Sequence, residues 1–335
     1  MSEWKVALLM KAGWERTNNQ IIPPVSAIEE MLYPFIKKGS ITHHEVLAGG
    51  LNNTNIKIVT GNGQCVLRIF SNHIKGIKTE KEVLNLLAGM IPVPEVLFSD
   101  FSCGKFPYPF ILLSWKNGRP LSEVLQGGDE DRPDKAAALV GGLLASIHSI
   151  TFPQSGLFTE QLVIGEQFRL NPDTYMDMIR GSLVEGFGKK HLGPALSMRI
   201  CTYAEDHAHL MVDLGEQNSL IHSDFNPLNI LVDEDGSDIS ISAILDWEYA
   251  FSGTPLIDIG NMLRYEGVST SGLEDPFIES YLNHGGSLPD QWLLKSKLVD
   301  LLALCDLANR KECGEVRIRD IRRLISLTLE KWGND

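Results

Sequence analysis

His222-Ser223-Asp224-Phe225-Asn226-Pro227-Leu228-Asn229, followed after an apolar hairpin by Asp246-Trp247-Glu248, is the stretch whose reading decides the fold. The spacing His-x-Asp-x-x-x-x-Asn puts one carboxylate, Asp224, and one amide oxygen, Asn229, on a single short loop. A second carboxylate, Asp246, ends the apolar run 241–245. A carboxylate in such a place is costly to bury unless it is paired or holds a metal. Phosphoryl transfer needs these parts: a base or orienter for an attacking hydroxyl, and two oxygen ligands that hold Mg²⁺ against nucleotide phosphates. Asp224 is the candidate catalytic carboxylate, and Asn229 and Asp246 are the candidate metal ligands. Either string alone also reads as an ordinary turn, since Asp and Asn favour turns. Their order and separation make the combination specific.

Outward from that stretch, composition sets the bounds. A chain of 335 residues exceeds the usual single-core size, so two lobes are expected. With 43% hydrophobic and 22% charged residues it reads as a soluble globular protein. No apolar run approaches the ~20 residues that span a bilayer. The opening residues 1–11 lack the long apolar core and small-residue cleavage site of a signal peptide, so a cytoplasmic location is expected. Cys65, Cys103, Cys201, Cys305 and Cys313 are odd in number and scattered, which speaks for reduced thiols and against structural zinc. Net charge is −13 and unevenly spread: residues 1–150 carry 15 basic and 14 acidic side chains, residues 151–335 carry 15 and 29. An acidic C-terminal half repels nucleic acid and anionic membranes and attracts a cationic small molecule, although a solvated acidic surface would look the same.

The pattern along the chain is α+β. Residues 25–40 suit a helix, with Ile28, Met31, Leu32 and Phe35 at helical spacing. Strands follow at 44–47, 55–60 and 64–70, the last two joined by the turn Gly61-Asn62-Gly63. A helix is predicted over 77–88, stopped by Gly89 and Pro92, and further strands over 93–99 and 109–114. The polar, turn-rich run 115–120 is the natural hinge. Beyond it helices dominate: 135–150, with Leu139, Leu143, Ile147 and Ile150 in register, most of 165–215, then 290–309 and 317–332.

The catalytic-loop text 220–232, the metal-segment text 244–250 and the helix start Pro255-Leu256-Ile257-Asp258 resemble the protein-kinase-like small-molecule phosphotransferases, the aminoglycoside phosphotransferase and choline kinase superfamily. The resemblance covers most of the chain. It implies a bilobal protein-kinase-like fold, with a mainly β nucleotide-binding lobe (1–114), a hinge (115–120) and a mainly α catalytic and substrate-binding lobe (121–335). It implies ATP, with GTP left open, and Mg²⁺ as cofactors, and a small, amine-bearing molecule as acceptor. A protein kinase is disfavoured, because neither Phe-Gly nor a later Ala-Pro-Glu follows Asp246.

The same resemblance distributes the remaining roles. Gly49, Gly50 and Asn53 fall in a Gly-Gly-x-x-Asn turn between strands, suited to covering phosphates, although a plain hairpin turn would look alike. Arg68 stands where relatives with a lysine hold the phosphates, and a permanently charged fork can serve there. Its expected partner is Glu82, with Glu80 as the alternative on the face of Val83, Leu84 and Leu87. Ser114, Trp115 and Lys116 are expected along the adenine edge. His222 and Asp258 are expected to brace the catalytic loop, and His148 to be structural. Glu248 and Arg264 are expected either near the substrate mouth or in surface ion pairs. A choline/ethanolamine-type metabolic kinase and a catalytically weak nucleotide-binding regulator are the rival readings; Arg68 is the one feature that favours the regulator.

Overall fold

The computed structural model describes residues 11, 13–71, 74–126, 131–235, 238–266 and 272–332. The opening residues 1–10, read above for a leader, lie outside the described residues. The N-terminal part is a five-stranded antiparallel sheet in the order β1-β2-β3-β5-β4, where β1 is Ile41–Val46, β2 Thr54–Thr60, β3 Gly63–Ile69, β4 Val96–Asp100 and β5 Phe110–Ser114. Side chains alternate across a strand, so the inner strands β3 and β5 each feed two cores. Leu67 and Ile69 of β3 and Phe110 and Leu112 of β5 pack against Ile28, Met31 and Leu32 of helix α1 (Val25–Leu32). Ile111 and Leu113 face the other way, with Phe70, and join the main core with Val83, Leu84 and Leu87 of helix α2 (Ile74–Leu87). Each of these fully buried aliphatic residues stabilises the fold by roughly 1.5–3 kcal/mol. Arg68 belongs to this second face. Helix α1 is shorter than the 25–40 expected, because Pro34 supplies no N–H to continue it and biases Tyr33 out of helical geometry.

The C-terminal part is helical around two small sheets. Strands β10 (Ile230–Asp235) and β11 (Asp238–Ile244) form a hairpin, joined at its edge by β6 (Arg119–Pro120). Pairing of Ile230 with Ile244, continued by the Leu245 N–H donating to the Asn229 carbonyl at 2.8 Å, brings Asn229 and Asp246 to one end of this hairpin. A second sheet, β8-β7-β12-β9, combines β7 (Gly156–Phe158), β8 (Ile164–Gln167), β9 (Ser219–Ile221) and β12 (Phe251–Gly253). Its strands are too short to show a period, and the expected helical run 165–215 begins only after β8, at helix α4 (Pro172–Arg180).

Helix α3 spans Asp131–His148, and the expected face holds in part: Ile147 is buried and Leu143 packs against the core, but Leu139 is 42% exposed, and Ala136, Ala137, Val140 and Leu144 are buried. The reason is Gly141. A methyl group there would stand 2.1 Å from the Phe277 carbonyl oxygen, so the glycine lets helix α7 (Glu274–Asn283) approach backbone to backbone. Helices α5 (Pro194–His207), α6 (Leu256–Met262), α8 (Trp292–Ala308) and α9 (Glu315–Trp332) are the other main helices of this part. No described helix is long and apolar enough to cross a membrane.

Candidate active site

Strand β9 delivers the chain to His222, whose side chain is fully buried. Its Nδ1 accepts from the Asp224 N–H at 3.2 Å, which fixes the tautomer, and its Nε2 donates to the Leu245 carbonyl at 2.8 Å. The loop thereby grips the strand that leads to Asp246. Asp258 on α6 grips it from the other side, accepting the His222 and Ser223 N–H groups at 2.8 Å each. Asp258 is itself fixed by His148, whose ring is held at 3.2 Å from the carboxylate and 3.0 Å from the Tyr281 hydroxyl. Ser223 (φ 71°) and Asp246 (φ 72°) are both left-handed, a conformation that costs a non-glycine residue about 1–2 kcal/mol and that this bracing sustains.

Asp224 projects into a cleft of about 610 Å³. Its Oδ1 accepts from Lys11 Nζ at 2.9 Å and Asn226 Nδ2 at 2.8 Å, and its Oδ2 accepts from Asn229 Nδ2 at 3.0 Å. Burial pushes its carboxyl pKa up, but the Lys11 ammonium more than reverses this, with help from the Arg264 guanidinium, and the group lies below the usual carboxylate range. Asn229 donates from Nδ2 to the carbonyl and the carboxylate of Asp224, and among the described residues its Oδ1 has no hydrogen-bond partner, which suits it to act as a ligand.

Opposite stands Arg68, 5% exposed, its guanidinium among three carboxylates. It pairs with Asp246, with Glu80 at 3.2 Å and with Glu248 at 3.4 Å. Burial opposes its charge, but these three neighbours outweigh burial and hold it protonated. The Glu80 carboxyl, 1% exposed, is pushed up, by burial first and then by Asp246 and Glu248, against the pull of the Arg68 guanidinium. Glu248 is raised in the same way. Among the described residues, Arg68 Nε and Glu80 Oε2 have no hydrogen-bond partner, which is unusual for buried polar atoms. One guanidinium against three carboxylates leaves an excess of negative charge, and the Asp246 side chain is 35% exposed to the cleft. Hard oxygens with surplus charge suit Mg²⁺, which takes few protein ligands and keeps its waters. Among the described residues no group of three or more His, Cys, Asp or Glu could hold a metal by itself.

Glu80, not Glu82, is therefore the partner of Arg68. Helix phase explains the correction: Glu80 shares a face with Val83, Leu84 and Leu87, and a residue two positions on is rotated by about 200°, which leaves Glu82 half-buried on another side.

Above these groups lies the turn 48–53. Gly49 has φ 95°, and a methyl on Gly50 would sit 3.0 Å from the Asn53 carbonyl oxygen. Asn53 donates to Glu248 at 2.9 Å, and Asn52 to the Tyr249 hydroxyl at 2.8 Å, so the turn is fastened to the segment after Asp246. Gly49, Gly50, Asn53, Arg68, Asp224, Asn229 and Asp246 all line the one cleft. Ser114, Trp115 and Lys116 do not: Ser114 exchanges hydrogen bonds with Glu95, and the Trp115 ring is covered by Lys57 Nζ at 4.1 Å. Arg264 lines the cleft but is no surface group; it forms a buried pair with Asp300 at 2.6 Å. Lys11, and the segment that carries it, is the cleft component that no sequence pattern marked.

The sequence profile described as the phosphotransferase enzyme family matches residues 43–293. Among solved structures, aminoglycoside phosphotransferase APH(4)-Ia superposes with a TM-score of 0.69 at 16% identity, over 92% of this chain and 99% of that one. The GDP and kanamycin complex of APH(2")-IIIa gives 0.65 at 18% identity, over 93% and 99%. A putative aminoglycoside phosphotransferase from Ralstonia eutropha JMP134 gives 0.61 at 16% identity, over 92% and 97%. No curated protein sequence matches the chain.

Proposed function

The chain belongs to the phosphotransferase enzyme family, and from that premise we propose that it transfers the γ-phosphoryl group of ATP or GTP to a hydroxyl of a small, amine-bearing molecule. The observation that carries this reading is the convergence of Asp224, Asn229, Asp246 and Arg68 on one cleft beneath the glycine turn. Asp224 orients the acceptor hydroxyl and takes its proton as the oxygen–phosphorus bond forms. Asn229 and Asp246 are the residues that would hold Mg²⁺, which when bound neutralises phosphate charge. Arg68, backed by Glu80, lines the cleft and supplies its permanent charge to the phosphates, and backbone N–H groups of the turn 48–53 cover them.

Similar structures are complexes with ADP, AMP-PNP or GDP, which supports a nucleotide in the cleft. Hygromycin B and kanamycin in those complexes, together with the acidic surplus of residues 151–335, support an amine-bearing acceptor. The test is nucleotide turnover with Mg²⁺ across a panel of amino alcohols, aminoglycosides and sugars, wild type beside Asp224→Ala. Stimulation by one acceptor, lost in the variant, is expected. Absence of nucleotide binding would overturn the reading.

A further inference from the structure

Lys11 does not belong to any element that builds the site, yet its ammonium lies 2.9 Å from the Asp224 carboxylate with its side chain only 13% exposed. The segment behind it explains how it is held. Trp14 is buried and donates from Nε1 to Asp320 on α9 at 3.0 Å, an acid that also accepts from the Tyr265 hydroxyl at 2.6 Å. The Glu15 carboxylate accepts the N–H groups of Val316 and Arg317 in the first turn of α9, at 2.8 and 3.2 Å. On the other side Arg16 donates to the carbonyls of Gly50 and Asn53, and the Thr17 N–H donates to Leu51 at 2.9 Å. Residues 13–17 thus form a strap fastened both to α9 and to the glycine turn. Ligands of the phosphates and the carboxylate that handles the acceptor are tied to one short segment.

Counting acceptor sites on Asp224 shows what Lys11 leaves open. An ionised carboxylate offers about four lone-pair sites. Lys11 and Asn226 fill Oδ1, and Asn229 fills one site on Oδ2. One site remains, on Oδ2, so a hydroxyl can dock there with Lys11 in place. An ammonium on the neighbouring oxygen then stands beside the region through which the phosphoryl group passes, where a cation supplied from outside the main site accelerates transfer.

On the phosphotransferase reading above, we propose that Lys11 is a further catalytic residue, a cation delivered in cis by the N-terminal strap. The acceptor oxygen bonds to the γ-phosphorus, and the bond from that phosphorus to the bridging oxygen breaks, its electron pair leaving with the nucleoside diphosphate. The hydroxyl proton passes to Asp224 Oδ2. Lys11 holds Asp224 in place and meets the charge on the transferring oxygens.

The test does not need the acceptor, because water can replace it. Mg²⁺-dependent ATP hydrolysis and ATP affinity are measured on the full chain for wild type, Lys11→Ala, Lys11→Arg and Asp224→Ala, with circular dichroism to confirm folding. Lys11→Ala is expected to lower kcat by about 10²-fold, leaving the ATP Kd within about twofold, while Lys11→Arg recovers a large part of the rate. A rate in Lys11→Ala equal to wild type overturns the proposal. A faster rate overturns it too, and shows that Lys11 blocks the acceptor's seat. Wild type that turns over no ATP either in water or with any acceptor of the panel above, with Asp224→Ala indistinguishable, overturns the phosphotransferase reading itself and Lys11 with it, an outcome separate from a loss confined to Lys11.

Discussion

Arg68 carries a permanent charge on the apolar face of a strand, and which glutamate meets it is decided by helix phase. Glu80 lies on the buried side of α2 at 3.2 Å from the guanidinium; Glu82 does not. Removing one partner of a buried pair leaves the other uncompensated, and a charged hydrogen bond contributes about 1.5–3 kcal/mol. Glu80→Gln should therefore misplace Arg68 and weaken Mg·ATP binding by roughly ten- to a hundredfold, whereas Glu82→Gln should stay within about 0.5 kcal/mol of wild type. Titration calorimetry on both variants decides it, and equal effects would sink the assignment. Glu80 was legible from the sequence, since its spacing to Val83, Leu84 and Leu87 marks the buried face. Asp224, Asn229 and Asp246 were legible for a different reason: loop and hairpin are contiguous, so spacing alone brings them together. Lys11 was not, because the partners of its strap lie near residues 50 and 320 and the strap has no period of its own.

At the scale of elements, alternation foretold β2, whose Ile56 and Ile58 face α1 alone, while β3 and β5 divide their residues between the α1 and α2 sides. It missed β7, β8 and β12, which at three or four residues are shorter than one readable repeat. The face of α3 was misjudged at Leu139, because small residues, Ala136, Ala137 and Gly141, share the buried side with Val140 and Leu144. Its contact with α7 is built on Gly141, and that makes a prediction with an unusual sign. Gly→Ala within a helix normally stabilises by about 1 kcal/mol. At Gly141 the added methyl meets a backbone oxygen at 2.1 Å, which no side-chain rotation relieves. Over-packing of this kind costs about 1–3 kcal/mol. Gly141→Ala should therefore lower the melting temperature, and a rise would show that α3 and α7 do not approach as closely as described.

At the scale of the whole molecule, the N-terminal sheet and the helical part meet through polar contacts that are also the candidate site: Arg68 with Asp246, Asn53 with Glu248, and Asn52 with Tyr249. These contacts gather three carboxylates around one guanidinium, so the junction carries excess negative charge until a cation enters. A Mg·nucleotide complex would bridge the same two parts, touching the glycine turn and Arg68 on one side and Asn229 and Asp246 on the other. A ligand that binds only the folded state stabilises it by about 2.7 kcal/mol at a hundred times its Kd. ATP with Mg²⁺ should then raise the melting temperature clearly more than ATP with EDTA, because nucleotide phosphates alone add to the negative charge that Asp246, Glu80 and Glu248 already impose. Asp246→Asn keeps the side chain's shape and removes one of those charges, so the variant should lose most of the Mg²⁺-dependent increment while responding to metal-free ATP at least as well as wild type does. Differential scanning calorimetry of the two proteins under the two conditions separates these contributions. A Mg²⁺ increment of the same size in both would place the metal somewhere other than between Asn229 and Asp246.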